Sequence, residues 1–152
     1  MTNQSSTFVF LSQGEPQLLD PYSRDQAIAF YGDSRHSTEF CEGQLVLMPG
    51  ASICFAEVAG TPGATHFPAA NTLVLVEPNT NPLQKPLFES FFARRPAAVF
   101  VRKPGESQYA FLGKQKITHF TFHPGGGIQS ITFSLDPALP PEAWARYGGK
   151  AG

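Results

Sequence analysis

Hydrophobic and polar positions alternate most regularly toward the C-terminal end of this chain. Ile131, Phe133 and Leu135 alternate with Ser130, Thr132 and Ser134, the period of two that marks a strand with one buried face. Ser107, Tyr109 and Phe111 alternate with Gln108, Ala110 and Leu112. From Ala97 to Trp144, short strands joined by tight turns fit better than any helix. Lys103-Pro104-Gly105-Glu106 predicts a turn, because proline presets one turn dihedral and glycine accepts a positive φ. Lys116 to His123 reads as extended, and Gly125-Gly126-Gly127 as a hairpin tip.

Upstream the pattern predicts a mixture of elements. Thr7 to Leu11 reads as a first strand. Leu18-Leu19-Asp20-Pro21 predicts a helix start, with Asp20 as cap, Pro21 in the first turn and Gly32 as the stop. Ala27, Ile28, Phe30 and Tyr31 would form its buried face. Asp33 to Glu39 is polar and reads as a loop. Gln44 to Met48 and Ser52 to Ala59 predict a hairpin around Pro49-Gly50. Gly60 to Ala69 has no regular period and reads as a loop. Thr72 to Val76 is an apolar run that predicts a strand buried on both faces. Glu77 to Pro82 reads as a loop and Pro86 to Ala93 as a short helix carrying Leu87, Phe88, Phe91 and Phe92. Pro140 to Tyr147 predicts a closing helical turn or two, docked by Trp144 and ended by Gly148-Gly149.

The sum is an α+β class chain: a curled, mostly antiparallel sheet or open β-barrel of about seven or eight strands, with two or three flanking helices. At 152 residues, 41% of them apolar, this is one domain spanning 1–152 with a sizeable core. The low charged fraction argues against disorder, and the 14 phenylalanines suit a small β core. No run approaches the ~18 apolar residues of a membrane span. Met1-Thr-Asn-Gln-Ser-Ser lacks a basic region followed by an apolar one, so a cytoplasmic location without membrane contact is expected. Cys41 and Cys54 are then reduced thiols. Their spacing makes no zinc motif, and Cys54 reads as a small core residue.

Charge changes the picture through its distribution. The net charge is −1, yet residues 1–80 carry two basic and eight acidic side chains, and residues 81–152 carry nine basic and four acidic. The halves are thus near −6 and +5. Such a split fits a basic face that meets an anion such as nucleic acid, and it equally fits two complementary halves packed on each other.

Catalytic patterns are missing: there is no nucleophile elbow, phosphate loop, dinucleotide fingerprint or His-Glu-x-x-His. His119 and His123 are four apart, but on an extended chain that is ~13 Å at ~3.3 Å per residue, too far for one zinc with ligands at ~2.1 Å. Both histidines fall on one expected sheet face with Thr121 and Ile117. Glu39, Glu42 and Glu57 make no evident pair. No metal, cofactor or catalytic residue is assigned, and the reading leans away from an enzyme. A pocket around His36, His66 and the two strand histidines is the remaining enzymatic alternative.

The order Val99-Phe-Val-Arg, a short turn, Tyr109-Ala-Phe-Leu-Gly-Lys, a histidine-containing strand and Ser130-Ile-Thr-Phe-Ser-Leu with a following Leu-Pro covers about 45 residues. It resembles the C-terminal domain of restriction-type helicases from bacterial defence, similar to the SRA/PUA-like modules that read modified DNA. The resemblance implies a PUA/SRA-like open barrel. It also implies phosphate contacts by basic side chains and base contacts by aromatic or imidazole ones. The matching candidates here are Arg102, Lys103, Lys114 and Lys116 for phosphate, extended by Arg94 and Arg95. Tyr109, His119 and His123 are the candidates for stacking or base edges.

Two readings follow. One is a non-catalytic module that contacts nucleic acid, including modified DNA, through the basic C-terminal half. The other is a protein-interaction module of the immunity or antitoxin kind, meeting a basic partner through Asp33, Glu39, Glu42 and Glu57.

Overall fold

The computed structural model describes residues 15–31, 40–42, 44–48, 51–59, 64–69, 71–79, 96–140 and 142–146. Among them are nine strands: β1 (Pro21–Tyr22), β2 (Phe40–Glu42), β3 (Leu45–Met48), β4 (Ala51–Glu57), β5 (His66–Ala69), β6 (Thr72–Asn79), β7 (Ala97–Arg102), β8 (Tyr109–Phe122) and β9 (Ile128–Ser134). Two short helices accompany them, α1 (Arg24–Ala29) and α2 (Glu142–Ala145). The strands form one curled mixed sheet, a half-barrel, in the order β2-β3-β4-β7-β8-β9-β6-β5, with β1 added to the start of β8. Every pairing is antiparallel except β4 with β7. The expected strand at Thr7–Leu11, the turn at Pro49-Gly50 and the helix at Pro86–Ala93 lie outside the described residues, as do Gly32, Asp33 to Glu39 and Gly148-Gly149. Among the described residues no helix is long and apolar enough to cross a membrane.

The inner face of the curl carries the larger core. Cys54 and Ala56 of β4, Val99 and Val101 of β7, Leu112 of β8, Ile131 and Phe133 of β9, and Leu73 and Leu75 of β6 meet there. Helix α2 adds Ala143 to the same cluster. Burial pushes the Cys54 thiol far above its ordinary range, so it is a small apolar residue in effect. A second cluster sits on the outer face of the β3-β4-β7-β8 half. Ile53, Phe55, Phe100 and Phe111 pack there under Ala27 and Ile28 of α1, with Phe55 and Phe100 stacked at 5.4 Å.

Several local expectations are corrected. The first helix begins at Ser23, not at Asp20-Pro21. Ser23 accepts the Gln26 N–H on its Oγ at 3.1 Å and donates its own N–H to Gln26 Oε1 at 2.8 Å, a capping box that outcompetes the upstream cap. Pro21 and Tyr22 instead pair with Ala110 and Tyr109. Of the expected helix face only Ala27 and Ile28 are buried, with Phe30 and Tyr31 half-buried past the helix end. His66–Ala69, expected as loop, is an edge strand, where Pro68 withholds no needed donor. β6 is buried on one face only, through Leu73 and Leu75, with Thr72, Val74 and Val76 half-buried on the other. It runs on to Asn79 instead of looping at Glu77.

β8 organises the sheet. Residues expected as separate short strands form one 14-residue strand, though Ser107 and Gln108 bend before it starts. A bulge falls between Phe111 and Lys114, which face Phe100 and Ala98. Gly113 takes φ +85° there, a conformation that costs any other residue strain. Beyond it the strand passes from β7 to β9. Gln115 seals the crossing: it is buried, donates Nε2 to Leu112 O at 2.6 Å and accepts the Asp136 N–H at 2.8 Å.

Candidate functional site

Two further bulges decide which side chains face outward. The β8–β9 register gains a residue on β8 between Ile117 and His119, and one on β9 between Ser130 and Ile128. Parity therefore flips at Thr118. Ile117, Phe120 and Phe122 all pack on the inner core, and Lys116, His119 and Thr121 face out. The expectation that Ile117 shares a face with the histidines is overturned by this bulge, since each extra residue reverses the side-chain alternation.

Cross-strand partners then build an outer grid of three rows. Thr72, Ser134 and Lys116 form the first, Val74, Thr132 and His119 the second, and Val76, Ser130 and Thr121 the third. His66 extends the second row from the edge strand. Thr121 Oγ1 and Ser130 Oγ share a hydrogen bond of 2.8 Å. Lys116 and His119 are exposed. Among the described residues the grid contains hydroxyls, valines, imidazoles and one ammonium, but no carboxylate.

The basic candidates nearer the start of β8 are differently placed. Arg102 lies 3.2 Å from Glu57, and its guanidinium stacks 4.5 Å above the Tyr109 ring. Tyr109 is half-buried and packs edge-on against Phe55 at 4.9 Å. Lys114 lies on the outward side, 3.2 Å from Glu15. Thus two acidic side chains of the N-terminal half neutralise two basic ones of the C-terminal half, the complementary packing that the charge split allowed. Lys103 is exposed in the β7–β8 turn. His123 is half-buried just past β8, and its N–H meets Gly127 O at 2.7 Å in the hairpin.

The structure therefore aligns Arg102, Tyr109, Lys114, Lys116 and His119 on one face, with Lys103 at its near end and His123 beyond its far end. Arg94, Arg95, Asp33, Glu39 and His36 lie outside the described residues, as does the Glu42 side chain. Glu57, a candidate for an acidic docking face, is engaged by Arg102 within the chain. His66 contributes Nδ1 to a contact of 2.6 Å with Ala64 O. Among the described residues no three His, Cys, Asp or Glu side chains cluster as metal ligands would.

Sequence reasoning missed the hydroxyls that fill the grid, Ser130 and Thr132 among them, although their alternation with Ile131 and Phe133 already placed them opposite the core. It also missed Glu15, whose role depends on β1 folding back along β8. No family model matches the chain, and no curated protein or solved structure matches it.

Proposed function

We propose that this chain is a binding module whose outer β8–β9–β6 face contacts the phosphate backbone of nucleic acid. The observation that carries this reading is the carboxylate-free grid holding Lys116 and His119 beside Lys114. A polyanion approaching it meets donors and hydroxyls and no repelling charge among the described residues of the grid. Phosphate contacts of this kind position a ligand without reading sequence. Lys114 to Thr121 spans at most ~23 Å of extended strand, comparable to about seven base pairs at ~3.4 Å each. The half-barrel is compatible with the SRA/PUA-like resemblance, and on this reading the module works in the cytoplasm, in defence against or surveillance of modified DNA. Arg102 plays a different part from the one first expected: Glu57 and Tyr109 hold it, so it shapes the site's near end more than it binds phosphate.

The test is fluorescence anisotropy with short DNA and RNA, unmodified and modified, at two salt concentrations. Binding should weaken with salt, and Lys116→Ala should lower the slope of log affinity against log salt by about 1. Arg102→Gln should change that slope less. Absence of binding at low salt, or a Lys116→Ala slope equal to the parent's, removes the reading.

A further inference from the structure

At the other end of β8 a cleft of about 500 Å³ opens between β1, the β7–β8 turn and the residue after α2, a size typical of small-molecule sites. Its apolar lining is Leu19, Pro21 and Ala110, and its polar lining is Glu106, Ser107 and Arg146. The walls are fixed by the fold. Pro21 pairs with Ala110, and the Leu19 N–H donates to Phe111 O at 2.8 Å.

The charged pair determines what the cleft suits. Glu106 Oε2 accepts Arg146 Nη2 at 2.8 Å, and its Oε1 accepts the Lys103 N–H at 2.8 Å. The Lys103 N–H and then Arg146 hold the carboxyl below the usual carboxylate range, so both charges persist at neutral pH. About half of the Arg146 side chain and a third of the Glu106 side chain remain exposed. A ligand with a single charge would meet one of these groups favourably and the other unfavourably. A ligand with adjacent opposite charges matches both. We propose that this cleft binds a free α-amino acid with an aromatic or large apolar side chain, its carboxylate on Arg146, its ammonium on Glu106 and its side chain over Leu19, Pro21 and Ala110. The assignment is independent of the nucleic-acid reading, because neither Glu106 nor Arg146 belongs to the outer grid.

Amide NMR of the full chain, titrated with L-phenylalanine, phenylpropionate and phenethylamine, tests this. L-phenylalanine should shift the signals of Ser107 to Ala110 and Arg146, and each singly charged analogue should bind at least about tenfold more weakly. Arg146→Gln leaves the Glu106 bond to Lys103 in place and should weaken L-phenylalanine by about tenfold while anisotropy with DNA stays unchanged. Glu106→Gln should weaken phenethylamine and L-phenylalanine and leave phenylpropionate equal or tighter. Equal binding of the three compounds, shifts confined to other parts of the chain, or an Arg146→Gln variant that binds as the parent does would each overturn the assignment.

Discussion

The two halves of strand β8 have opposite surroundings. From Tyr109 to Leu112 both faces are covered: Ala110 and Leu112 enter the inner core, Phe111 and the Tyr109 ring enter the outer cluster beneath α1, and the exposed Lys114 follows beside Glu15. From Lys116 to Phe122 the inner side packs Ile117, Phe120 and Phe122, and the outer side presents Lys116, His119 and Thr121. What separates the halves is the chain laid over the first one, residues 15–31, which adds β1 and α1. Under that cover the cations are paired with acids from elsewhere in the chain. Past it, no carboxylate faces Lys116 across the described grid. On the proposed reading a site for an external anion falls on the second half, and the first half supports it.

The sharpest break between the halves is in stability. Phe100 is fully buried and touches Phe55 at 5.4 Å and Phe111 at 4.9 Å. Phe100→Ala should cost about 3–5 kcal/mol, the lost transfer energy plus the cavity left behind. Thr121→Val on the open half removes one part-buried hydrogen bond and should cost about 0.5–1.5 kcal/mol. Urea denaturation of both variants measures the difference. If Phe100→Ala cost under about 1 kcal/mol, the outer cluster would not be the packed second core that its geometry shows.

The junction between the halves comes next. Gly113 sits at φ +85°, and an added Cβ would meet Gln115 Nε2 at 3.3 Å and Leu18 Cδ2 at 3.5 Å. Gly113→Ala should destabilise by about 1–2 kcal/mol through backbone strain. If the bulge absorbed the strain by slipping one residue, Lys116 and His119 would turn inward, and DNA binding would fall with stability. A variant that loses stability and keeps its affinity would show that the register beyond the bulge holds independently.

How much of this was legible depended on whether the signal was local. The alternation around Ile131 and Phe133 placed β9 and its outward Ser130 and Thr132, because period two is a property of the strand itself. The Lys103–Glu106 turn was equally local: Pro104 and Gly105 need no distant partner, and Gly105 takes φ +91° as its residue type allows. The bulges were not legible. Nothing in Ile117-Thr118-His119 says that Thr118 is the extra residue, because a bulge is a relation between two strands. The first helix was misplaced by three residues for the opposite reason: two local caps competed, and the capping box of Ser23 and Gln26 won. The Glu15–Lys114 and Glu57–Arg102 pairs were foreshadowed only as a charge split between halves, whose partners depend on topology.

Those pairs carry the smallest predicted effect. Glu15 and Lys114 are 3.2 Å apart, with side chains 51% and 54% exposed. An exposed pair gains little Coulomb energy against solvent and side-chain entropy, so a Glu15→Gln, Lys114→Gln double-mutant cycle should give a coupling of about 0.2–1 kcal/mol that shrinks with salt. The same variants probe the boundary between the halves through binding. Glu15→Gln releases Lys114 toward the open grid, and DNA affinity should rise slightly with a steeper salt dependence. If Glu15→Gln instead left affinity and slope unchanged while Lys116→Ala lowered both, the boundary would lie between Lys114 and Lys116. The covered half of β8 would then contribute shape alone, and the interface would begin where β9 takes over from β7.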